Sequence, residues 1–178
     1  MLQPHLLPEL SAETVRRIKE DVDAVKQPGD IVVASIHWGR NWGYTIPPAH
    51  RQFAHALIDE AGVDLIHGHS SHHAQGIEVY KEKLILYGCG DLLTDYEGIK
   101  GYQEFRGDLA LMYFVRVEPS RGRLVRLSMT PMRMQRFRLT RAAGTDGRWL
   151  RDVLNREGRP FGTRVEIGRD NTLTLHWK

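Results

Sequence analysis

Two short apolar runs, each followed by histidine and glycine, organise the first half of this chain: residues 30–39, DIVVASIHWG, and residues 61–72, AGVDLIHGHSSH. The apolar stretches at 31–36 and 63–66 have the length and composition of strands that are buried on both faces. A helix is predicted between them at 49–61, opened by Pro47 and Pro48 and closed by Gly62. The order strand, helix, strand predicts a βαβ unit whose two strands are neighbours in one sheet.

The remaining pattern changes from a parallel unit to hairpins. An amphipathic helix is predicted at 11–26, with Ser11 as N-cap and an apolar stripe formed by Val15, Ile18, Val22 and Val25. Strands are predicted at 77–80, 84–87, 109–117 and 123–138, the last interrupted at Pro131, and a final pair within 163–175 follows a helix at 146–157. This mixture predicts an α/β (α+β) sandwich with mixed sheets, and the absence of a linker or repeat predicts a single domain over 1–178.

The composition of the chain excludes several classes of protein. The chain has 178 residues, a net charge of +3 and one cysteine, Cys89, which excludes an internal disulfide and a cysteine metal cluster. The sequence contains no run of about 18 apolar residues, so no membrane span is predicted. Without a signal peptide the chain is expected in the cytoplasm, or in the cell envelope if an N-terminal segment is missing.

The arginines at 133, 136, 138 and 141 indicate a solvated strand face or an anionic partner, with Arg136 and Arg138 on one face. Nucleic-acid binding is not predicted, because no aromatic-basic motif accompanies them.

Histidines are concentrated at the ends of the two predicted strands. His37 follows the first strand, and four of the nine histidines lie between His67 and His73. Ligands bind at the carboxyl ends of strands in open α/β sheets, so His37 is expected near His69 and His72. Neutral imidazole is a common ligand for Mn, Fe and Zn type ions, which makes a divalent metal site one reading and hydrogen-bonded loop histidines the other.

Other residues near this site have two readings as well. His67 is expected to be a core or edge residue of its strand, and His73 to point away from its neighbour. Glu78 and Asp64 are candidate partners for the histidine ring N–H groups. Trp38, Trp42 and Tyr44 are expected either to pack or to form a stacking wall for a substrate.

These motifs resemble those of the CapA family, which are capsule or poly-γ-glutamate biosynthesis-type proteins with a calcineurin-like metallophosphatase fold. Residues 30–39 resemble the strand and His-Trp-Gly motif, and residues 61–72 resemble the Gly-Ala-Asp and Gly-His-His-Pro-His segment. Residues 75–80 and 84–87 continue the similarity in the same order. The resemblance implies the C-terminal half of a four-layer αββα fold, with His37, His69 and His72 as ligands of a divalent metal ion.

The chain also departs from the family pattern. Ser70 and Ser71 replace the usual His-Pro, and Asp91 stands where an Asn is usual, as a turn cap or as a group that binds a cation or an amine. The Gly-Asp and Asn-Asn-His motifs that complete the metal centre in the family's N-terminal half are not found before Ser11. Two-metal hydrolysis needs ions about 3.5–4 Å apart, whereas three histidines suit one ion with an open position.

Two functions therefore remain open. The first is a metal-dependent hydrolase of capsule polymer or cell-envelope metabolism, which acts on an anionic polymer or a small molecule. Its missing ligands would come from the lost half, a complementing chain or a homodimer. The second is a non-catalytic binding or assembly module, or a truncated remnant without activity.

Overall fold

The first sheet grows from the predicted βαβ unit. The computed structural model describes residues 9–94 and 101–178, and its first elements are helix α1 (Ala12–Val25), strand β1 (Val33–His37), helix α2 (Pro48–Glu60) and strand β2 (Leu65–His69). Strands β3 (Ile77–Tyr80) and β4 (Lys83–Leu86) follow. The strand order is β1-β2-β4-β3, in which β3 alone is antiparallel to its neighbour. Lys81 and Glu82 have φ of 46° and 66°, the backbone of a two-residue hairpin turn.

The second sheet is antiparallel. It contains β5 (Leu109–Glu118), β6 (Arg123–Gln135), β7 (Arg138–Arg141), β8 (Thr163–Ile167) and β9 (Leu173–Trp177). Its order is β5-β6-β9-β8, and β7 pairs with the end of β6. Helix α3 (Thr145–Gly158) connects β7 to β8, and short 3-10 turns lie at Gln103–Phe105 and Arg159–Phe161.

Two apolar clusters hold the layers together. One lies between the two sheets and includes Leu86, Leu127, Met129 and Leu173. The other lies between the first sheet and helices α1 and α2, with members from all three elements. Helix α3 contributes Leu150 and Leu154 to the cluster between the sheets. The described layers are thus helices, mixed sheet and antiparallel sheet, so the α/β sandwich with mixed sheets is confirmed, and the four-layer arrangement stays an expectation.

Strand β1 was predicted to be buried on both faces, and this was wrong. It is an edge strand whose one partner in the described ranges is β2. Val33 is 54% exposed, and Ser35 and His37 on the same face are exposed as well. The cluster between the sheets draws on β3, β4 and Leu65 of β2, while none of its described members comes from β1. The second sheet therefore does not cover the first sheet at β1, on the face that carries Val33, Ser35 and His37.

Three local predictions also need correction. Strand β6 continues through Pro131, because Pro131 lies between the stretch that pairs with β9 and the stretch that pairs with β7, where a ladder N–H is not needed. Arg136 and Phe137 form a two-residue turn with φ of 53° and 54°, so Arg136 does not share a strand face with Arg138. Val25 at the end of α1 is 53% exposed and leaves the apolar stripe.

Cys89 is buried, as its apolar surroundings predict. Burial raises the pKa of its thiol to about 12, so the thiolate is suppressed at neutral pH. Within the described ranges, no helix combines the length and the apolar character that crossing a membrane requires.

Asp64 should make the stability of the fold dependent on acid pH. Burial by itself would raise the pKa of Asp64, but hydrogen bonds from Lys83, the Val32 amide and Lys26 hold it below its ordinary value. A carboxyl with a depressed pKa in the folded state stabilises the fold above about pH 4, and this contribution is lost as the pH falls further. We expect the free energy of unfolding in urea to fall more steeply from pH 6 to pH 3 in the native protein than in Asp64→Asn. Parallel curves would contradict this assignment.

Candidate metal centre

His37 and His69 end two neighbouring parallel strands. The register runs from Val33 opposite Leu65 to His37 opposite His69, and the Trp38 amide donates to the His69 carbonyl oxygen at 3.0 Å. The two Nδ1 atoms are 3.2 Å apart, and the ring centroids are 5.1 Å apart. The two imidazoles therefore meet at the edge of the sheet, as the two strand ends predict.

The separation of the two nitrogens has two chemical readings. A single N–H···N hydrogen bond joins them if one ring carries the proton on Nδ1. With metal–nitrogen distances of about 2.0–2.1 Å, the 3.2 Å separation also corresponds to an angle of about 100° at a shared ion, near the tetrahedral value. Burial, followed by His67 and His37, lowers the pKa of His69, which favours the neutral imidazole that metal binding requires.

Strand β2 extends further than predicted. The loop expected from His67 onward begins at Ser70, which has φ of 115°, and His67 and His69 both belong to the strand. Side chains two residues apart share a face, so His67 lies beside His69 with ring centroids 5.5 Å apart. The Ser35 hydroxyl lies 3.0 Å from His67 Nδ1. His67 is not among the predicted ligands, although its spacing of two from His69 places both rings on one face of the strand.

His72 has a different environment. Its Nδ1 lies 2.7 Å from an Asp91 oxygen, and its ring centroid lies 5.1 Å from that of Trp42. Considering only 9–94 and 101–178, no three side chains of the His, Cys, Asp and Glu types converge as metal ligands. Two of the three predicted ligands thus meet, and the third does not complete a three-ligand group with them.

Asp91 reaches His72 because the chain after β4 runs beside the end of β2. The Cys89 amide donates to the Gly68 carbonyl oxygen at 3.0 Å, and an isolated bridge pairs Cys89 with Ala74. When His72 Nδ1 donates its proton to this carboxylate, the contact fixes the tautomer and the orientation of the ring. Glu78 and Asp64, proposed from sequence for this role, lie elsewhere: Asp64 contacts Lys26 and Lys83, and Glu78 contacts α2 and Tyr87.

The neighbouring ring of His73 is fully engaged. Its Nε2 accepts from the Gly43 amide at 3.1 Å, and Nδ1 lies 3.2 Å from the Ala74 carbonyl oxygen. Burial lowers the pKa of His73, so this buried ring is neutral and both of its nitrogens are occupied. Both ring nitrogens thus have partners within the protein.

The aromatic side chains divide between packing and the rim of the site. Trp38 is buried on the helix side, where its Nε1 donates to the Tyr87 carbonyl oxygen at 2.8 Å. Trp42 stacks on Tyr102 with ring centroids 4.5 Å apart and lies beside His72. Tyr44 packs against the edge of His73 at 4.7 Å. Trp42 is therefore the one of these three aromatic residues whose ring lies beside the ring of a predicted ligand.

Comparison with known proteins identifies the family of this chain. Residues 2–96 match the family described as bacterial capsule synthesis protein PGA_cap. A probable polyglutamine synthesis accessory protein of Mycobacterium tuberculosis is 51% identical over 164 residues, which are 90% of this chain and 43% of that protein. The capsule biosynthesis protein CapA of Bacillus anthracis is 30% identical over 102 residues, 57% of this chain and 24% of its own length.

A third relative, the PGA biosynthesis protein CapA of Bacillus subtilis, is 33% identical over 95 residues, 53% of this chain and 24% of that protein. The chain therefore spans less than half the length of each of these relatives. The matched residues contain β1, β2 and both histidines of the strand-end pair. This chain belongs to the bacterial capsule synthesis family PGA_cap, within which it resembles the CapA proteins.

Proposed function

We propose that this chain supplies part of a divalent metal centre to a metal-dependent hydrolase of capsule polymer metabolism, of the poly-γ-glutamate type. The observation that carries the proposal is the 3.2 Å separation of His37 Nδ1 and His69 Nδ1, which suits two ligands of one ion. The names of the relatives support the connection with capsule and polyglutamate synthesis.

The residues at the strand ends have separate roles in metal and substrate binding. His37 and His69 bind a Mn, Fe or Zn type ion through Nδ1, and His72, whose Nδ1 contacts Asp91, is the third proposed ligand. A divalent ion there would polarise a phosphoryl or carbonyl oxygen and lower the pKa of bound water. Ser35 and His67 extend the same face and offer hydrogen bonds to an anionic substrate.

The remaining ligands come from another polypeptide segment that docks along β1. Within the described part of the chain the outer edge of β1 has no strand partner, and Val33, Ser35 and His37 face solvent. Unpaired edges with exposed apolar side chains favour pairing with a further strand. A complementing segment, or a second copy of this chain, would pair with the edge and bring its ligands to the exposed imidazoles.

Metal binding by histidine variants tests this proposal. We expect His37→Ala and His69→Ala each to weaken Zn²⁺ or Mn²⁺ binding at least about tenfold in isothermal titration, since even the loss of a supporting group costs that much. His176→Ala is the matched control, because this exposed histidine lies on β9 of the second sheet and should bind as the native chain does. Unchanged affinity in both strand-end variants, with folding confirmed by circular dichroism, would refute the proposal.

Asp91 should affect metal binding through His72. Asp91→Ala removes the acceptor 2.7 Å from His72 Nδ1, and we expect roughly 10- to 100-fold weaker binding. Asp91→Asn keeps an oxygen that can accept the same proton, so most of the affinity should be retained. Equal losses in both variants, or none in Asp91→Ala, would show that Asp91 does not position this ring.

One observation favours a second candidate, a non-catalytic binding or assembly module. Over residues 9–94 and 101–178, only two of the predicted ligands lie together. This candidate predicts no bound metal in elemental analysis and unchanged stability after His69→Ala.

A further inference from the structure

A third histidine lies on the face of the first sheet that carries the strand-end pair. His67 and His69 flank Gly68 on β2, and side chains two residues apart on a strand point to the same face. The parallel register places Ser35 opposite His67 and His37 opposite His69. Three imidazoles and one hydroxyl therefore occupy neighbouring positions of two paired strands, about 4.8 Å apart across the strands and about 6.6 Å apart along β2.

The neighbours of His67 direct its ring toward β1. Its register partner on β4 is Leu86, an apolar residue that is buried in the cluster between the sheets. On the other side the Ser35 hydroxyl lies 3.0 Å from His67 Nδ1, and such a contact fixes the tautomer and the orientation of an imidazole. When Nδ1 donates its proton to the Ser35 oxygen, the lone pair of Nε2 is open to a ligand. Among the described residues this Nε2 has no hydrogen-bond partner.

The distances between the rings suit one shared ion. The ring centroids of His67 and His69 are 5.5 Å apart, close to the 5.1 Å between His37 and His69. With a metal–nitrogen distance of about 2.0–2.1 Å, the centroid of a bound imidazole lies about 3.2 Å from the ion. Two imidazoles on a tetrahedral ion then have centroids about 5.2 Å apart. His67 is therefore almost as well placed to share an ion with His69 as His37 is.

Rotation of one side chain completes the group. Within residues 9–94 and 101–178 the three rings do not converge on one point, so His67 has to turn about its own side-chain bonds. The backbone need not move, because the register of β1 and β2 already sets the positions from which the rings project. A simple polar pair with Ser35 explains one nitrogen of His67, but it does not explain why two further imidazoles share this uncovered face.

We propose that His67 is a further ligand of the ion bound by His37 and His69, and that Ser35 positions its ring. The inference rests on the proposed metal centre and deepens it, because it assigns His67 to the ion and not to the substrate. Three imidazoles suit a Zn²⁺-type ion and leave the fourth tetrahedral position open. This chain then binds the ion without ligands from the segment that docks along β1.

Titration of the full chain with Zn²⁺ tests the role of His67. We expect His67→Gln, which keeps a polar side chain, to weaken binding at least about tenfold in isothermal titration. Its urea midpoint without metal should stay close to that of the native chain. At a Zn²⁺ concentration well above both dissociation constants, a tenfold weaker affinity means about 1.4 kcal/mol less stabilisation by the ion. The visible absorption spectrum of bound Co²⁺ should also change, because this spectrum reports the ligands and geometry of the ion.

Variants of Ser35 separate positioning from folding. Ser35→Ala removes the hydroxyl 3.0 Å from His67 Nδ1 and should weaken Zn²⁺ binding about tenfold. Ser35→Thr keeps a hydroxyl on a β-branched side chain that suits a strand, so it should retain most of the affinity. Because Ser35 is exposed, neither substitution should disturb the fold.

The matched control is His176→Gln, because this exposed histidine lies on β9 of the second sheet and should bind Zn²⁺ as the native chain does. Native affinity and a native Co²⁺ spectrum in His67→Gln, together with weakened binding in His37→Ala, would overturn this inference and leave the proposed metal centre standing. Native affinity in both of these variants would overturn both. Equal losses in Ser35→Ala and Ser35→Thr would overturn the positioning role of Ser35.

Discussion

Replacing Gly68 with alanine should lower the free energy of unfolding by about 3 kcal/mol and weaken metal binding at the strand-end histidines. Gly68 lies between His67 and His69 on β2, with its side-chain position facing the helix layer. A Cβ there would lie 2.4 Å from the Tyr87 carbonyl oxygen and 2.5 Å from Trp38 Nε1. It would therefore stand between a donor and an acceptor that are now hydrogen bonded at 2.8 Å.

The backbone cannot relieve this contact cheaply. The same Cβ would lie 2.7 Å from the Leu86 carbonyl oxygen, so either β2 or the neighbouring strand must shift. Because His69 follows directly, a displaced β2 also changes the separation of the two Nδ1 atoms on which shared metal binding depends.

Urea denaturation and titration with Zn²⁺ measure the two effects. Gly147→Ala on α3 is a matched control, because its Cβ would meet the end of the Ile167 side chain at 3.2 Å and Pro131 Cγ at an ordinary 3.9 Å, and alanine favours helix. The control should change the unfolding free energy by less than about 1 kcal/mol. A Gly68→Ala protein with native stability and native affinity would mean that this close packing does not control the site.

Replacing Glu78 with glutamine should cost about 2–3 kcal/mol of stability. The buried carboxylate accepts from the Tyr87 hydroxyl at 2.6 Å and contacts His55 at 3.1 Å and Arg51 at 3.2 Å. An amide cannot serve all of these donors, and its NH₂ group would face at least one of them. The expected loss is smaller than that of breaking a fully buried ion pair, because the Arg51 side chain is 44% exposed and water screens its charge.

A double-mutant cycle with Tyr87→Phe isolates the buried hydrogen bond. Burial, followed by the hydrogen bond to Glu78, raises the pKa of Tyr87, so the phenol remains a proton donor throughout the neutral range. We expect the two substitutions to be strongly non-additive in chemical denaturation, since they remove the same interaction. Additive losses would show that Glu78 acts through α2 alone.

Glu78 also explains how the helix layer is attached to the sheet. It lies on β3, while Arg51 and His55 lie on α2, and Tyr87 directly follows β4. Its loss should therefore loosen α2 from the sheet that carries the histidine pair, although no atom of Glu78 contacts those rings in the described structure.

The local sequence was sufficient for the helices, for the positions of most strands and for one contact of the site. The periodicity at 11–26 and 146–157 specifies α1 and α3, and the turn at Lys81 and Glu82 specifies the β3–β4 hairpin. The meeting of His37 and His69 also follows from sequence, because consecutive strands of a βαβ unit are neighbours and both residues end a strand.

Long-range packing determined the exposure of β1 and the partners of Asp91 and Glu78. An apolar run does not reveal whether its strand is central or at an edge, and only the placement of the second sheet left Val33, Ser35 and His37 exposed. Asp91 reaches His72 because the chain after β4 passes the end of β2, and Glu78 serves α2 because β3 lies under that helix. Short-range periodicity and turn chemistry thus determined the helices, most of the strands and the pair of strand ends. The partners of each buried carboxylate and the open face of β1 depended on how distant segments pack, which no local pattern encodes.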